Sequence, residues 1–159
     1  MAKAYIGLGS NLGDREAGIR AALQLLHRTH AATVKRVSRL IETEPVGGPP
    51  GQGMYLNGAA EIETYLSPCE LLEALKIIEV NVGRIERERW APREVDLDIL
   101  FYEDEVVRTN ILEIPHPRLC ERDFVLRPLA EIAPDFVHPL TKMTVAEHLA
   151  ALERGVGGP

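Results

Sequence analysis

The sequence is poor in the features that mark secreted, membrane-bound or metal-thiolate proteins. It contains two cysteines, Cys69 and Cys120, and their spacing fits neither a metal site nor a disulfide framework. No run approaches the roughly 20 apolar residues of a membrane span. The N-terminus leads almost directly into a predicted strand, so we expect no signal peptide. These observations predict a reduced, cytoplasmic protein with no membrane partner.

Aromatic residues and positive charge are also scarce. Aromatic residues make up 5% of the chain, and the formal net charge is −6. A small domain that binds RNA on a β-sheet would be expected to have exposed aromatic side chains and a basic face. We therefore expect no nucleic acid as a partner. The length of 159 residues, without repeats or linkers, predicts a single domain spanning 1–159, with a frayed tail at 155–159.

An alternating stretch from residue 94 to residue 100 gives the strongest indication of function. In an extended strand, its two faces would carry Val95, Leu97 and Ile99 on one side, and Glu94, Asp96 and Asp98 on the other. Aspartates at i and i+2 lie about 6.6 Å apart and repel each other, so we expect a cation close to them. Carboxylates without neighbouring Cys or His suit Mg²⁺ or Mn²⁺, which usually bind together with phosphates.

The segment just upstream, 83–93, is rich in arginine. It contains Arg84, Arg87, Arg89 and Arg93, with Trp90 among them. Guanidinium groups bind phosphate bidentately. Together with the acidic strand, this segment predicts phosphoryl transfer from a metal-bound nucleotide. A solvated sheet face beside a polar loop is the alternative that the spacing alone leaves open.

Hydrophobic periodicity and capping signals predict the remaining elements. Strands are predicted at 2–8, 33–43, 55–64 and 94–100, helices at 14–29 and 67–82, a hairpin turn into a short edge strand at 101–107, and two C-terminal helices that begin near 122 and 144. Gly83 is predicted to end the second helix. The order βαββαβ predicts an α+β, ferredoxin-like fold, with an antiparallel sheet, helices on one face and C-terminal helical additions.

Three further features indicate a binding site, although each also has an ordinary structural interpretation. Residues 44–53 hold four glycines and three prolines, more than a hairpin connection needs, which predicts a functional loop. Asn57, next but one to Tyr55 in a strand, could bind the edge of a planar heterocycle or simply lie on the surface. His116 lies between two prolines, which is compatible with a ligand or with a hydrogen-bonded loop histidine.

These segments together resemble the 6-hydroxymethyl-7,8-dihydropterin pyrophosphokinase family of folate biosynthesis. The resemblance runs from about Tyr5 to Pro139. It is carried by residues 5–13 (YIGLGSNLG), 55–57 (YLN), 89–100 (RWAPREVDLDIL), 115–118 (PHPR) and 121–124 (ERDF). It implies a ferredoxin-like fold and transfer of pyrophosphate from MgATP to the hydroxymethyl group of the pterin, leaving AMP.

The resemblance also implies roles for individual residues. On the nucleotide side, Asp96 and Asp98 would hold two Mg²⁺ ions. The phosphates would be bound by Arg84, Arg93, His116 and Arg122. Trp90 would lie on a lid over ATP, and Ile99 would flank the adenine. On the pterin side, Tyr55 and Phe124 would sandwich the ring, Asn57 would bind its edge, and backbone groups of Thr43, Pro45 and Val46 would lie nearby. Lids at 44–53 and 84–93 would exclude water.

The chain departs from some relatives at three positions near the expected nucleotide site, namely Lys76, Ile111 and Glu113. We expect these departures to affect ATP affinity and not the type of reaction. Two alternatives remain at this stage. One is another metal-dependent nucleotidyl or phosphoryl transferase, and the other is a non-enzymatic ferredoxin-like module that binds a small ligand. We also expect a monomer.

Overall fold

The computed structural model describes residues 1–10, 15–29, 31–43, 54–88 and 95–155, without the side chains of residues 15 and 84–88. The strands are β1 (Ala2–Ser10), β2 (Ala32–Val37), β3 (Ile41–Thr43), β4 (Tyr55–Thr64), β5 (Val95–Tyr102), β6 (Val107–Arg108) and β7 (Glu113–Ile114). The helices are α1 (Arg15–Arg28), α2 (Pro68–Glu88), α3 (Asp123–Ile132) and α4 (Val145–Glu153), with a 3₁₀ turn at Leu119–Glu121. In this part of the chain no helix combines the length and the apolar character that a membrane crossing needs.

The main sheet confirms the predicted ferredoxin-like α+β fold. Its strands lie in the order β2-β4-β1-β5, and β3 pairs with the beginning of β4. The strand pairs of this sheet are antiparallel. This is the order expected when two βαβ crossovers interleave, with β1 and β4 in the centre. The acidic strand β5 is the last strand on its side of the described sheet.

Three predicted boundaries were wrong. The predicted strand at 33–43 is divided into β2 and β3, because the Ser38 hydroxyl accepts from the Ala59 amide at 2.9 Å and donates to the Arg39 carbonyl at 2.8 Å. The short strand after the turn, β6, pairs with β7 instead of forming an edge of the main sheet. Helix α2 continues through Gly83 to Glu88. Residues 84–88 are all Arg, Ile or Glu, which tolerate a helix well enough to offset the roughly 1 kcal/mol cost of one glycine.

Two hydrophobic clusters cover opposite faces of the sheet. Under one face, α1 and α2 pack on β1 and β4 through residues such as Ile6, Ile62 and Leu71. On the other face, α3 and α4 cover one end of the sheet through residues such as Tyr5, Leu126 and Leu129. The register between β1 and β5 shifts between Tyr5 and Ile6. This bulge turns both Leu100 and Phe101 toward the second cluster.

The C-terminal segment that covers the second face contains a buried histidine, His138. The Nδ1 atom of His138 accepts hydrogen bonds from the backbone N–H groups of Leu140 at 3.1 Å and Thr141 at 3.2 Å. The ring lies edge-on to Phe101, with centroids 5.5 Å apart. Burial, with a smaller contribution from His148, holds the pKa of His138 below its usual value of 6.5. The ring is therefore neutral in the folded protein at neutral pH.

We expect acid to weaken this part of the fold. Because the pKa of His138 is lower in the folded than in the unfolded chain, the unfolded chain binds more protons below pH 6.5. The contribution of the neutral ring is thus complete above that pH and is lost as the pH falls. His138→Asn keeps an acceptor but cannot titrate. Urea unfolding from about pH 7.5 to about pH 5.5 should show the stability advantage of the wild type over His138→Asn shrinking. A constant difference would contradict this.

Candidate active site

The open end of the second face is built on three adjacent strands. Across β4, β1 and β5 the register aligns Asn57 with Gly9 and Gly9 with Asp96, and in the next row it aligns Ala59 with Gly7 and Gly7 with Asp98. The central strand therefore has no side chain of its own at either position on this face. We call this strip, Gly7 and Gly9, the glycine trough. The side chain of Leu100 lies over Gly7, 3.3 Å from where a Cβ atom would stand, so the space above the trough is at Gly9. The walls of the trough, on β4 and β5, are about 10 Å apart, which is twice the spacing between strands.

The wall on β4 presents an oriented amide. Asn57 Nδ2 donates to Thr43 Oγ1 at 2.7 Å, so Thr43 fixes the rotation of the amide group. The other amide atom faces the trough, because a methyl group at Gly9 would lie 3.6 Å from Asn57 Oδ1. Tyr55 lies two residues earlier on the same face. This wall therefore offers one hydrogen-bond acceptor and an aromatic ring to a ligand in the trough.

The wall on β5 presents two carboxylates. Asp96 and Asp98 are exposed, whereas Val95, Leu97 and Ile99 are buried beneath the sheet, as the alternating pattern predicted. Among the described residues, no three His, Cys, Asp or Glu side chains come together as a metal site. Mg²⁺ usually binds one or two carboxylates and completes its octahedron with water and phosphate. A pair of exposed aspartates fits that ion, provided that a phosphate-bearing substrate is also bound.

A third carboxylate supports this strand from the side. Glu79 on α2 accepts a hydrogen bond from the Leu97 amide, with 2.7 Å between N and Oε2. Burial raises the pKa of Glu79, and the charges of Asp96 and Asp98 raise it further, while the Leu97 amide and Lys76 lower it. Glu79 is thus electrostatically coupled to both aspartates.

A histidine and an arginine lie beside the carboxylates. The backbone N–H of His116 donates to the Leu100 carbonyl at 3.0 Å, which ties this segment to β5. His116 Nδ1 accepts from the Arg118 amide at 3.2 Å, so the proton of the neutral ring is on Nε2. Burial lowers the pKa of His116, and Arg122 lowers it further, whereas Asp98 raises it. At neutral pH the ring is therefore an uncharged donor close to a guanidinium and a carboxylate.

The pair Arg122 and Phe124 opens helix α3. The Arg122 guanidinium carbon lies 5.7 Å from the centre of the Phe124 ring, a cation–π contact. Helix α3 packs against β4, the strand that carries Tyr55 and Asn57. Tyr55 and Phe124, the two residues predicted to stack on the pterin, thus lie on two elements, β4 and α3, that pack against each other.

The remaining predicted residues fall into three groups. The side chain of Ile99 is 4% exposed and lies in the core under the sheet, so only its backbone can reach a ligand at the strand edge. Pro45, Val46, Trp90 and Arg93 lie outside the described residues, as do the predicted lid at 44–53 and residues 89–93 of the predicted lid at 84–93. Arg84 belongs to α2 by its backbone, which corrects the prediction of a loop there, and its side chain is not among those described.

An apolar groove runs along the outer face of α2. Its volume is about 700 Å³, and it is lined by Cys69, Leu72, Glu73, Lys76, Ile77, Val80, Asn81 and Ile111. Two of the three departures noted in the sequence, Lys76 and Ile111, line this groove. Sequence reasoning did not find the groove or the trough, because both are formed by residues that are distant along the chain.

The comparisons with known proteins bear first on the fold. Among solved structures, the HPPK-DHPS of Plasmodium falciparum superposes with a TM-score of 0.74 at 15% identity, over 99% of this chain and 42% of that chain. At this identity the match shows the fold alone. This chain also spans less than half the length of that one.

The sequence comparisons are closer. This chain belongs to the 7,8-dihydro-6-hydroxymethylpterin-pyrophosphokinase (HPPK) family, whose sequence model matches residues 5–134. The 2-amino-4-hydroxy-6-hydroxymethyldihydropteridine pyrophosphokinase of Bacillus subtilis is 54% identical over 129 residues, covering 81% of this chain and 77% of that protein. The enzyme of the same name from Aquifex aeolicus is 44% identical over 147 residues, covering 92% and 90%.

Proposed function

We propose that the glycine trough and its two walls are the site at which this chain carries out the reaction of its family. The chain transfers pyrophosphate from ATP to 6-hydroxymethyl-7,8-dihydropterin, a step in folate synthesis. The observation that supports this location is the pair of rows across the sheet. They set the oriented amide of Asn57 opposite the carboxylate of Asp96, with Gly9 between them and Asp98 in the next row.

The pterin side of the site would lie on β4. Asn57 Oδ1 can accept from a ring N–H, and its orientation is fixed by Thr43 before any ligand binds. Tyr55 and Phe124 are suited to stacking on a flat ring. Because β1 has glycine at position 9, between the two walls, a bicyclic ring can approach the sheet closely there. The hydroxymethyl group would then point across the trough toward β5.

The nucleotide side would lie on β5. Asp96 and Asp98 would hold the Mg²⁺ ions, for which two is the expected number. When bound, the ions neutralise phosphate charge and help to align the attacking hydroxyl with the phosphorus. Arg122 would bind a phosphate oxygen as a cation, and His116 as a neutral donor through Nε2. Arg84, Arg93 and Trp90 are proposed to complete the nucleotide site, in agreement with the family resemblance.

The groove along α2 is the proposed position for the nucleoside end of ATP. It is apolar, and it is lined by Lys76 and Ile111, two of the positions at which the chain departs from some relatives. The backbone of Ile99 would border the base from the edge of the sheet. We further propose that the protein acts as a monomer in the cytoplasm, where ATP is supplied.

The products of the reaction test this function. The purified chain, incubated with MgATP and 6-hydroxymethyl-7,8-dihydropterin, should release AMP in amounts equal to the diphosphorylated pterin, as resolved by anion-exchange chromatography. Omission of the pterin is the control, and it should leave ATP intact. ADP as the nucleotide product would indicate transfer of a single phosphoryl group. The absence of any pterin-dependent turnover would indicate a ligand-binding module.

A further inference from the structure

Strand β5 is held on both of its edges where it carries the two aspartates. On the inner edge, Asp96 pairs with Gly9 and Asp98 pairs with Gly7 of β1. Backbone groups of successive residues in a strand point to opposite edges, so the N–H group of the intervening Leu97 points outward. It donates to Glu79 Oε2 at 2.7 Å. The outer edge of β5 is thus held at the residue between the two carboxylates.

This arrangement matters because the outer edge of a sheet is otherwise free to twist and fray. The separation of the Asp96 and Asp98 carboxylates depends on the backbone angles of Leu97, the only residue between them. A bond to the Leu97 amide restrains those angles. Glu79 itself is set by α2, whose residues Leu75, Ile78 and Val82 are buried against the sheet. The restraint therefore comes from a packed helix.

We propose that Glu79 is a positioning residue for the metal-binding pair, in that its bond to the Leu97 amide fixes the spacing of Asp96 and Asp98. The proposal rests on the proposed function, because it takes these two aspartates as the Mg²⁺ ligands. Glu79 acts through the backbone of β5, as residues behind a metal ligand commonly do, and the loss of such residues costs about 10- to 100-fold in metal affinity.

Two substitutions separate the position of this group from its charge. Glu79→Gln keeps an oxygen that can accept from the Leu97 amide but carries no charge. Glu79→Ala removes the acceptor and the charge together. If Glu79 acts by position, the Gln variant should behave like the wild type and the Ala variant should not. If it acts by attracting cations, the two variants should lose affinity to the same extent. Glu153→Gln, at an exposed position in α4, is the matched control for loss of a carboxylate.

Two measurements test this on the whole 159-residue chain. Mn²⁺ binding in the presence of a non-hydrolysable ATP analogue is followed by the electron paramagnetic resonance signal of free Mn²⁺. Hydrogen exchange of the Leu97 amide is followed by nuclear magnetic resonance. In Glu79→Ala we expect a dissociation constant for Mn²⁺ raised about tenfold and faster exchange at Leu97. In Glu79→Gln and Glu153→Gln we expect both quantities close to those of the wild type.

The outcomes distinguish this proposal from the one on which it rests. Unchanged Mn²⁺ affinity in Glu79→Ala, together with faster exchange at Leu97, would overturn the positioning role. Equal losses in the Gln and Ala variants would overturn it in favour of charge. If Asp96→Ala and Asp98→Ala bind Mn²⁺ as the wild type does, the metal assignment itself fails, whatever Glu79 does. If the Ala variant does not fold, a weakened Mn²⁺ site in a folded Gln variant that retains protection at Leu97 would still contradict the proposal.

Discussion

Asp96→Ala and Asp98→Ala are each expected to lower kcat by about three orders of magnitude while the protein stays folded. Charge stabilisation by a bound metal is worth several kcal/mol in a transition state. A loss of about 4 kcal/mol corresponds to roughly a thousandfold in rate. Both side chains are exposed on the sheet, so their removal leaves no cavity in the core. Steady-state kinetics at saturating MgATP, with circular dichroism as the test of folding, measures this effect.

Asp104→Ala is the control for these variants. Asp104 is also an exposed aspartate, in the turn that follows β5, and it lies beyond the covered end of the second face. The Asp104→Ala variant should have the kcat of the wild type. Wild-type rates in Asp96→Ala or Asp98→Ala would refute the metal assignment. Loss of folding in both would show that the two aspartates stabilise the strand instead.

Gly9→Ala is expected to damage pterin binding without damaging the fold. A Cβ atom at Gly9 would lie 3.6 Å from Asn57 Oδ1 and 4.0 Å from the Cβ atom of Asp96, which are ordinary contacts. The added methyl group would, however, stand on the floor of the trough. One methylene-sized mismatch in a binding pocket costs about 10- to 200-fold in kcat/KM. We therefore expect a higher KM for the pterin and an unchanged KM for ATP, measured by varying each substrate separately.

Gly58→Ala is the reciprocal control, because Gly58 faces the other side of the sheet. A Cβ atom there would come within 2.5 Å of a methyl carbon of Leu40 and 3.3 Å of Ser38 Oγ. Overpacking of this kind costs about 1 kcal/mol or more of stability. Gly58→Ala should thus unfold at lower urea concentration with its KM for the pterin unchanged. If instead Gly9→Ala kept its KM and lost stability, the trough would be structural only.

The sequence predicted the acidic wall correctly because that wall is local. Alternation of Val95, Asp96, Leu97 and Asp98 determines which side chains share a face, once the segment is a strand. The same rule could have identified Gly7 and Gly9 as the floor. The register that sets Gly9 between Asn57 and Asp96 joins three separate strands, and no local pattern predicts it.

The boundary errors arise where a local sequence signal is overridden by the residues that follow it or by contacts with distant parts of the chain. Gly83 is a typical helix end in sequence, but residues 84–88 are good helix formers and α2 continues through them. The break between β2 and β3 depends on a bond from Ser38 to Ala59, which are 21 positions apart. Glu79 had no distinguishing pattern in the sequence, because its partner is a backbone amide on another element.

Anomalous scattering from Mn²⁺ tests the central claim most directly. Crystals grown with Mn²⁺, a non-hydrolysable ATP analogue and the pterin should show anomalous peaks within bonding distance, about 2.1 to 2.2 Å, of carboxylate oxygens of Asp96 and Asp98. The analogue's phosphates should complete the coordination on the side facing the trough. Peaks elsewhere, with both carboxylates directed into solvent and the triphosphate bound at another surface, would contradict the account.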